Sequence, residues 1–170
     1  MAAEAARIVA EAGGAPGEVL ALAVVQEETS FAGARTSAFA REPDAAIVVD
    51  VTFATDQPGV ELGQITEHKL GSGPVVGRGT SLHPRLFELL YEAGEQQGIP
   101  FTVESTGKGT GTDADAIHLS RAGIPTGLVS VPLRYMHSPV ELASLRDINA
   151  AARLIAACAQ LLEPGMSFER

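Results

Sequence analysis

The sequence predicts an α/β protein: one main sheet covered by helices on both faces. Three observations predict it. Apolar runs recur that suit buried strands, at Val19–Val25, Ala45–Thr52 and Thr126–Val131. Stretches with a 3.6-residue apolar period lie between and around them, clearest over His83–Gln97. Glycine and proline clusters separate the two kinds of segment, with no internal repeat and no long linker.

In chain order, residues 3–12 are Ala-rich with Ile8 and Val9 in one apolar sector, which predicts a helix ended by Gly13-Gly14-Ala15-Pro16-Gly17. Val19 to Gln26 is predicted as the first strand and Gly33 to Ala40 as a short helix stopped by Arg41-Glu42-Pro43. Ala45 to Thr52 is a second buried strand, followed by the polar loop Thr55-Asp56-Gln57-Pro58-Gly59. In the Gly-rich middle a short edge or loop strand is expected at Pro74–Gly77, and antiparallel pieces fit there. His83–Gln97 carries Leu86, Phe87, Leu89, Leu90 and Ala93 on one helical face, and Gly98 closes it. Phe101–Glu104 reads as a strand. A glycine loop over 107–112 leads into a helix from Thr112 or Asp113 to Arg121, ended by Gly123-Ile124-Pro125. Thr126–Val131 is a strand. The last helical region opens at Pro139 or Val140, with a long amphipathic helix within 141–162, and the tail from Pro164 is expected to fray. Residues 1–163 thus read as one domain and 164–170 as a tail.

Composition narrows the function classes. With no Trp and 5% aromatic residues, the core must be built from Ala, Val, Leu and Ile. A net charge of −9 argues against nucleic acid, which needs clustered Lys and Arg. The single cysteine, Cys158, sits in an Ala/Leu-rich helical pattern and reads as a small core residue. Glu4, Arg7 and Glu11 interrupt the opening stretch, so no secretory leader is expected, and no apolar run approaches a membrane span. The expected setting is cytoplasmic.

The chemistry-bearing stretch is Val24-Val25-Gln26-Glu27-Glu28-Thr29, where an apolar run ends in two adjacent carboxylates. Asp50 in Ile47-Val48-Val49-Asp50-Val51-Thr52 and His137 in Arg134-Tyr135-Met136-His137-Ser138-Pro139 have the same look. Glu, Asp and His arriving at loop ends are the ligand set of a hydrolytic metal site. Adjacent strand residues point to opposite faces, so Glu27 and Glu28 share a site only where the strand has already turned. Simpler readings stand beside these: a solvated acidic pair, a turn-capping Asp50, and a helix-starting turn with Ser138 as N-cap and Pro139 at N1. His68, His83 and His118 read as surface or helix-start residues. Gly107-Lys108-Gly109 lacks P-loop spacing.

Six motifs occur in order: Val25-Gln26-Glu27-Glu28; Val49-Asp50-Val51-Thr52 with Thr55–Gly59; Gly71-Ser72-Gly73-Pro74; Gly111-Thr112-Asp113-Ala114; Gly123-Ile124-Pro125-Thr126; and Arg134-Tyr135-Met136-His137-Ser138-Pro139-Val140-Glu141. Together they resemble the FrvX-like, glutamyl-aminopeptidase (TET-type) family of co-catalytic metallo-aminopeptidases, some of whose relatives are labelled endoglucanases or cellulases. The resemblance covers nearly the whole chain. It implies a three-layer αβα peptidase domain, two metals (Zn or Co), peptides as substrates and a homo-oligomer. Glu27 then resembles the general base, Glu28 and His137 ligands of one metal, and Asp50 a ligand of the other. Asp113 would lie near the substrate pocket.

One departure stands out. The resemblance implies a His-x-Asp motif on an early strand and a bridging Asp just before the first helix of this chain. Here no His precedes His68 and no Asp precedes Asp44. The chain therefore resembles the carboxyl-terminal part of such a peptidase, truncated at the amino-terminal side. Catalytic zinc normally has three protein ligands, so weak metal binding and little or no activity alone are expected, with a missing amino-terminal half or further copies as partners. Two other readings compete. One is a non-catalytic oligomeric remnant. The other is a glycoside hydrolase, which two tyrosines and no tryptophan disfavour as a sugar groove.

Overall fold

The computed structural model of the chain describes residues 1–61, 63 and 66–169. Its elements are α1 (Ala2–Glu11), α2 (Glu27–Ser30), α3 (Ala32–Arg41), β1 (Ala46–Phe53), β2 (Val75–Gly79), α4 (Pro84–Gln97), β3 (Thr102–Thr106), α5 (Ala114–Ile117), β4 (Thr126–Arg134), β5 (Leu142–Ala143) and α6 (Leu145–Gln160). The sheet order is β1-β4-β2-β3, with β5 added to the far end of β4. β1 and β4 run parallel from Ala46 opposite Thr126 to Phe53 opposite Leu133. β2 is parallel to β3 but antiparallel to β4 through Val75–Ser130 and Val76–Val129. The Gly-rich middle thus does contain an antiparallel piece. Central β4 is buried over all but its last residue, which is why its sequence is a continuous apolar run rather than an alternating one.

Helices cover both faces. On one, Leu86, Leu89 and Leu90 of α4 and Ala151, Leu154 and Cys158 of α6 pack on Val76, Val129 and Val131. Alternate sheet residues Val48 and Leu128 meet Ala114 and Ile117 of α5 on the other face. α1 docks on α6 through Val9, Ala156 and Ala159. Cys158 is fully buried, and burial pushes its thiol up to about 12, so it is an inert core residue. No helix among the described residues is long and apolar enough to cross a membrane.

Several expectations change. The run from Val19 to Gln26 is not a strand: it is irregular, and Val19, Leu20, Leu22 and Val25 are exposed. An apolar run becomes a strand only with a ladder partner, and no described strand lies beside it. The helix expected from Thr112 or Asp113 to Arg121 is one turn long. Beyond it, tight bonds from Ser120 N to Ile117 O and Gly123 N to Ser120 O replace the helical ladder, and Arg121 takes a left-handed φ of 53°. The last helix begins at Leu145, not near Pro139, because Leu142 and Ala143 pair with β4 and Ser144 caps α6. The tail is packed rather than frayed: Met166 and Phe168 lie on the main core. His83 ties it down, its Nδ1 accepting from Arg85 N while Nε2 donates to Phe168 O at 2.8 Å. His68, expected at the surface, is buried with its Nδ1 2.7 Å from Thr102 Oγ1.

Candidate metallopeptidase site

The chain turns just before the two glutamates. Gln26 has a left-handed φ of 64°, and Glu27 and Glu28 form the first turn of α2. A left-handed non-glycine residue is uncommon. Here it breaks the extended run so that both carboxylates leave the same short segment. Phe31, left-handed at φ 54°, then redirects the chain into α3. Gly33 holds this corner: its N–H donates to Val25 O at 3.1 Å, and a Cβ would stand 2.4 Å from that oxygen.

Asp50 lies within β1 rather than at its end, since pairing with β4 continues to Phe53. Its Oδ1 accepts from Val51 N at 2.7 Å. Asp113 stands at the N-cap of α5, and its Oδ1 is buried without a hydrogen-bond partner among the described residues. His137 follows β4 with a left-handed φ of 61°, as does Tyr135. Its Nε2 lies 3.3 Å from Glu28 Oε2. Both side chains are about two-thirds exposed or more (67% and 73%), so the pair contributes little to stability.

The fold therefore brings Glu27, Glu28, Asp50, Asp113 and His137 into one electrostatic neighbourhood. The Glu27 carboxyl is pushed above its ordinary range, first by desolvation, then by the charges of Asp50, Glu28 and Asp113, with His137 opposing. Desolvation also raises Asp50, with the Val51 amide opposing and Glu28 reinforcing. Asp113 is raised by desolvation and then by Asp50. Such crowding of like charges suits cation binding and a proton acceptor working nearer neutrality.

Sequence reasoning missed the groups that position the site. Arg134 Nε and Nη2 donate to Asp56 Oδ1 and Oδ2 at 3.2 and 2.5 Å, and Tyr135 N donates to Gln57 Oε1 at 2.8 Å. The loop after β1 thus grips the strained turn that carries His137. Glu141 Oε1 accepts from His137 N at 2.7 Å. Ser138 caps no helix; its Oγ accepts from Val140 N. Asp115 organises the glycine loop before α5, accepting from Thr110 N and Gly111 N, each at 2.8 Å, and from Thr110 Oγ1 and Ser81 Oγ. The signal was there as a carboxylate after a Gly-Thr-rich loop, but its partner Ser81 is distant in sequence.

A family model described as M42 glutamyl aminopeptidase matches residues 1–154. The chain belongs to this family. It is 43% identical over 141 residues to a putative aminopeptidase of Acetivibrio thermocellus, covering 81% of this chain and 42% of that one. It is 40% identical over 147 residues to the lysyl aminopeptidase of Pyrococcus furiosus, covering 86% and 42%. A crystal structure of a TET aminopeptidase from a marine-sediment thaumarchaeon superposes with a TM-score of 0.84 at 35% identity, covering 94% of this chain and 45% of that chain. The M42 chain described here thus spans about two fifths of the length of the relatives it matches.

Metal binding requires more than the right donors. Hard carboxylates and an imidazole suit Zn or Co. Yet among the described residues no group of three or more His, Cys, Asp and Glu side chains is arranged to hold an ion. Glu28 and His137 offer a pair, and Asp50 Oδ1 is engaged by the Val51 amide. The donor chemistry fits a metallopeptidase and the geometry does not complete a metal position.

Proposed function

We propose that this chain supplies one side of the active site of a metal-dependent aminopeptidase that removes amino-terminal residues from peptides. The observation that carries the reading is the convergence of Glu27, Glu28, Asp50, Asp113 and His137 from four separate segments of an M42 chain. Glu27 is the proton acceptor: its raised carboxyl can take a proton from an attacking water, a role that needs reach of about 3 Å. Glu28 and His137 are the ligand pair for one Zn or Co ion, and Asp50 is a ligand for a second. When bound, such ions supply Lewis-acid charge at the peptide carbonyl. Asp113, with its buried unpartnered oxygen, faces the substrate side and is suited to a cationic or N–H donor group. A free peptide amino terminus is such a group. Assembly with further copies, as in the dodecameric TET1 structure the chain resembles at 32% identity and a TM-score of 0.66, belongs to the same reading.

Alone, the chain has very low or no activity, because its own ligands are incomplete. The test is hydrolysis of aminoacyl-p-nitroanilides by the purified chain with zinc or cobalt. Background rates are expected. Turnover at about 1 s⁻¹ or faster, the ordinary enzymatic range, that is lost in Glu27→Gln would show a complete site and overturn the claim of incompleteness.

A further inference from the structure

A carboxylate outside the five site residues stands within a side chain's length of them. Glu104 lies in β3, and its Oε2 accepts from Thr52 Oγ1 at 2.9 Å. Thr52 is buried and follows Asp50 by two residues in β1, so the two side chains leave the same face of the strand. Two strand residues span about 6.6 Å, which puts the Glu104 carboxylate on the order of 7–10 Å from that of Asp50. Among the described residues no cation pairs with Glu104, and its Oε1 accepts from no described donor. The residue is only partly buried, so that oxygen is open to a ligand while Thr52 holds the other in place.

A second group on this polar floor lacks a partner. His68 is 1% exposed, and its Nε2 has no hydrogen-bond partner among the described residues. The residue is fixed in place: Nδ1 lies 2.7 Å from Thr102 Oγ1, His68 N donates to Thr55 Oγ1 at 2.9 Å, and Thr55 N donates to His68 O at 2.7 Å. Thr102 and Glu104 are alternate residues of β3 and share its face. Burial lowers the His68 pKa, and the charge of Glu104 opposes that shift. With Nδ1–H donating to Thr102, Nε2 presents a lone pair. The floor beside Asp50 thus offers two unmet acceptors, one of them anionic.

Acceptors of this kind exclude an anion and leave an apolar group without hydrogen bonds to make. A primary ammonium supplies both a positive charge and three N–H donors. On a four-carbon stem it reaches about 6 Å from its α-carbon, which matches the spacing between Asp50 and Glu104. We propose that Glu104, with His68 beside it, is the cation-binding end of the subsite for the side chain of the substrate's amino-terminal residue, and that this side chain carries a primary ammonium, as lysine does. Thr52 orients the carboxylate from beneath, and Glu104 selects by charge. The inference rests on the peptidase reading above for where the scissile bond lies, but cation binding at Glu104 does not require catalysis.

The test is a set of NMR titrations of the purified chain with three probes: L-lysinamide, L-norleucinamide, which has the stem without its ammonium, and butylammonium, which is the lysine side chain alone. Lysinamide and butylammonium are expected to shift the Glu104 carboxyl and His68 imidazole signals. Lysinamide should bind about five- to tenfold more tightly than norleucinamide, and the advantage should shrink as salt rises, since a partly exposed charge pair is screened. Glu104→Gln keeps an acceptor for the Thr52 hydroxyl and so preserves the fold. It should abolish the lysinamide advantage and leave norleucinamide binding unchanged. Equal affinity for the two amides, an advantage that survives Glu104→Gln, or no shift at Glu104 and His68 overturns the proposal. The peptidase reading is tested at another place, through the α-ammonium that both amides carry and its effect on the Asp113 carboxyl. Butylammonium that shifts Glu104 while neither amide moves Asp113 keeps the cation site and removes its role in a peptide subsite.

Discussion

Asp147 offers the sharpest test of how the framework is held. It is buried at the start of α6, and its two oxygens accept from Gly71 N at 2.7 Å and Gly73 N at 2.9 Å. That clamp joins α6 to the Gly71-Ser72-Gly73-Pro74 turn leading into β2. The turn has no room to relax: Gly73 has φ 94°, and a Cβ there would stand 1.9 Å from Pro100 O. Asp147→Ala leaves the buried Gly73 amide without a partner and the exposed Gly71 amide to water. A hydrogen bond to a charged group contributes about 1.5–3 kcal/mol, and an orphaned buried donor costs about 1–3 kcal/mol. The expected loss is therefore about 3–5 kcal/mol, set by the Gly73 contact with a smaller share from Gly71. At roughly 2–4 °C per kcal/mol for a chain of this size, the melting temperature falls by about 6–20 °C. Asp147→Asn keeps the shape and one acceptor and should lose about half as much. Urea unfolding followed by circular dichroism gives the free energies, and hydrogen exchange at Gly71 and Gly73 gives the local effect. An Ala variant within about 1 kcal/mol of the parent, with both amides still protected, would refute the clamp.

Three further outcomes follow from the site. Asp50, Glu27 and Asp113 have folded-state carboxyls raised above their unfolded values, so the native state holds more protons just above the usual carboxylate range and stability falls as pH rises through it. Asp50→Asn keeps the acceptor for Val51 N, and should raise the pH 7 melting temperature by on the order of a few degrees and flatten its decline between about pH 4 and 7. Asp56 has the opposite sign: Arg134 holds its carboxyl below the ordinary range, so its contribution is full above about pH 4 and is lost as pH falls through the lower folded value. Asp56→Asn should loosen the His137 turn, seen as faster exchange at the Tyr135 and His137 amides, with the parent reaching the same state only in acid. Calorimetric titration of the purified chain with zinc or cobalt should show only weak binding, abolished by Glu28→Ala; tight binding unaffected by that change would place the metal elsewhere.

What the sequence made legible follows from the range of the forces involved. α4 was readable because its face of Leu86, Leu89, Leu90 and Ala93 repeats at the helical period within one segment. β4 was readable because a strand buried on both faces needs an unbroken apolar run. The glutamate pair, Asp50, Asp113 and His137 were found as candidates because the motifs around them are ordered along the chain, and the fold does gather them. The Asp147 clamp and the Asp56–Arg134 grip were not readable, since they join residues more than 70 positions apart. His68 was misplaced because nothing local shows that Thr55, Thr102 and Glu104 gather around it. α5 was overextended because its pattern continues past Ile117, while the tight turns at Ser120 and Gly123 end the helical ladder.

The failure at Val19–Gln26 differs from these, because the local reading there is sound and the partner is what is wanting. Seven apolar residues in a row have a strand's composition, and the structure leaves them irregular, largely exposed and lining a cavity of about 620 Å³ beside β1. Glu28 meets His137, while Asp50 Oδ1 accepts from Val51 N and so holds no other described donor.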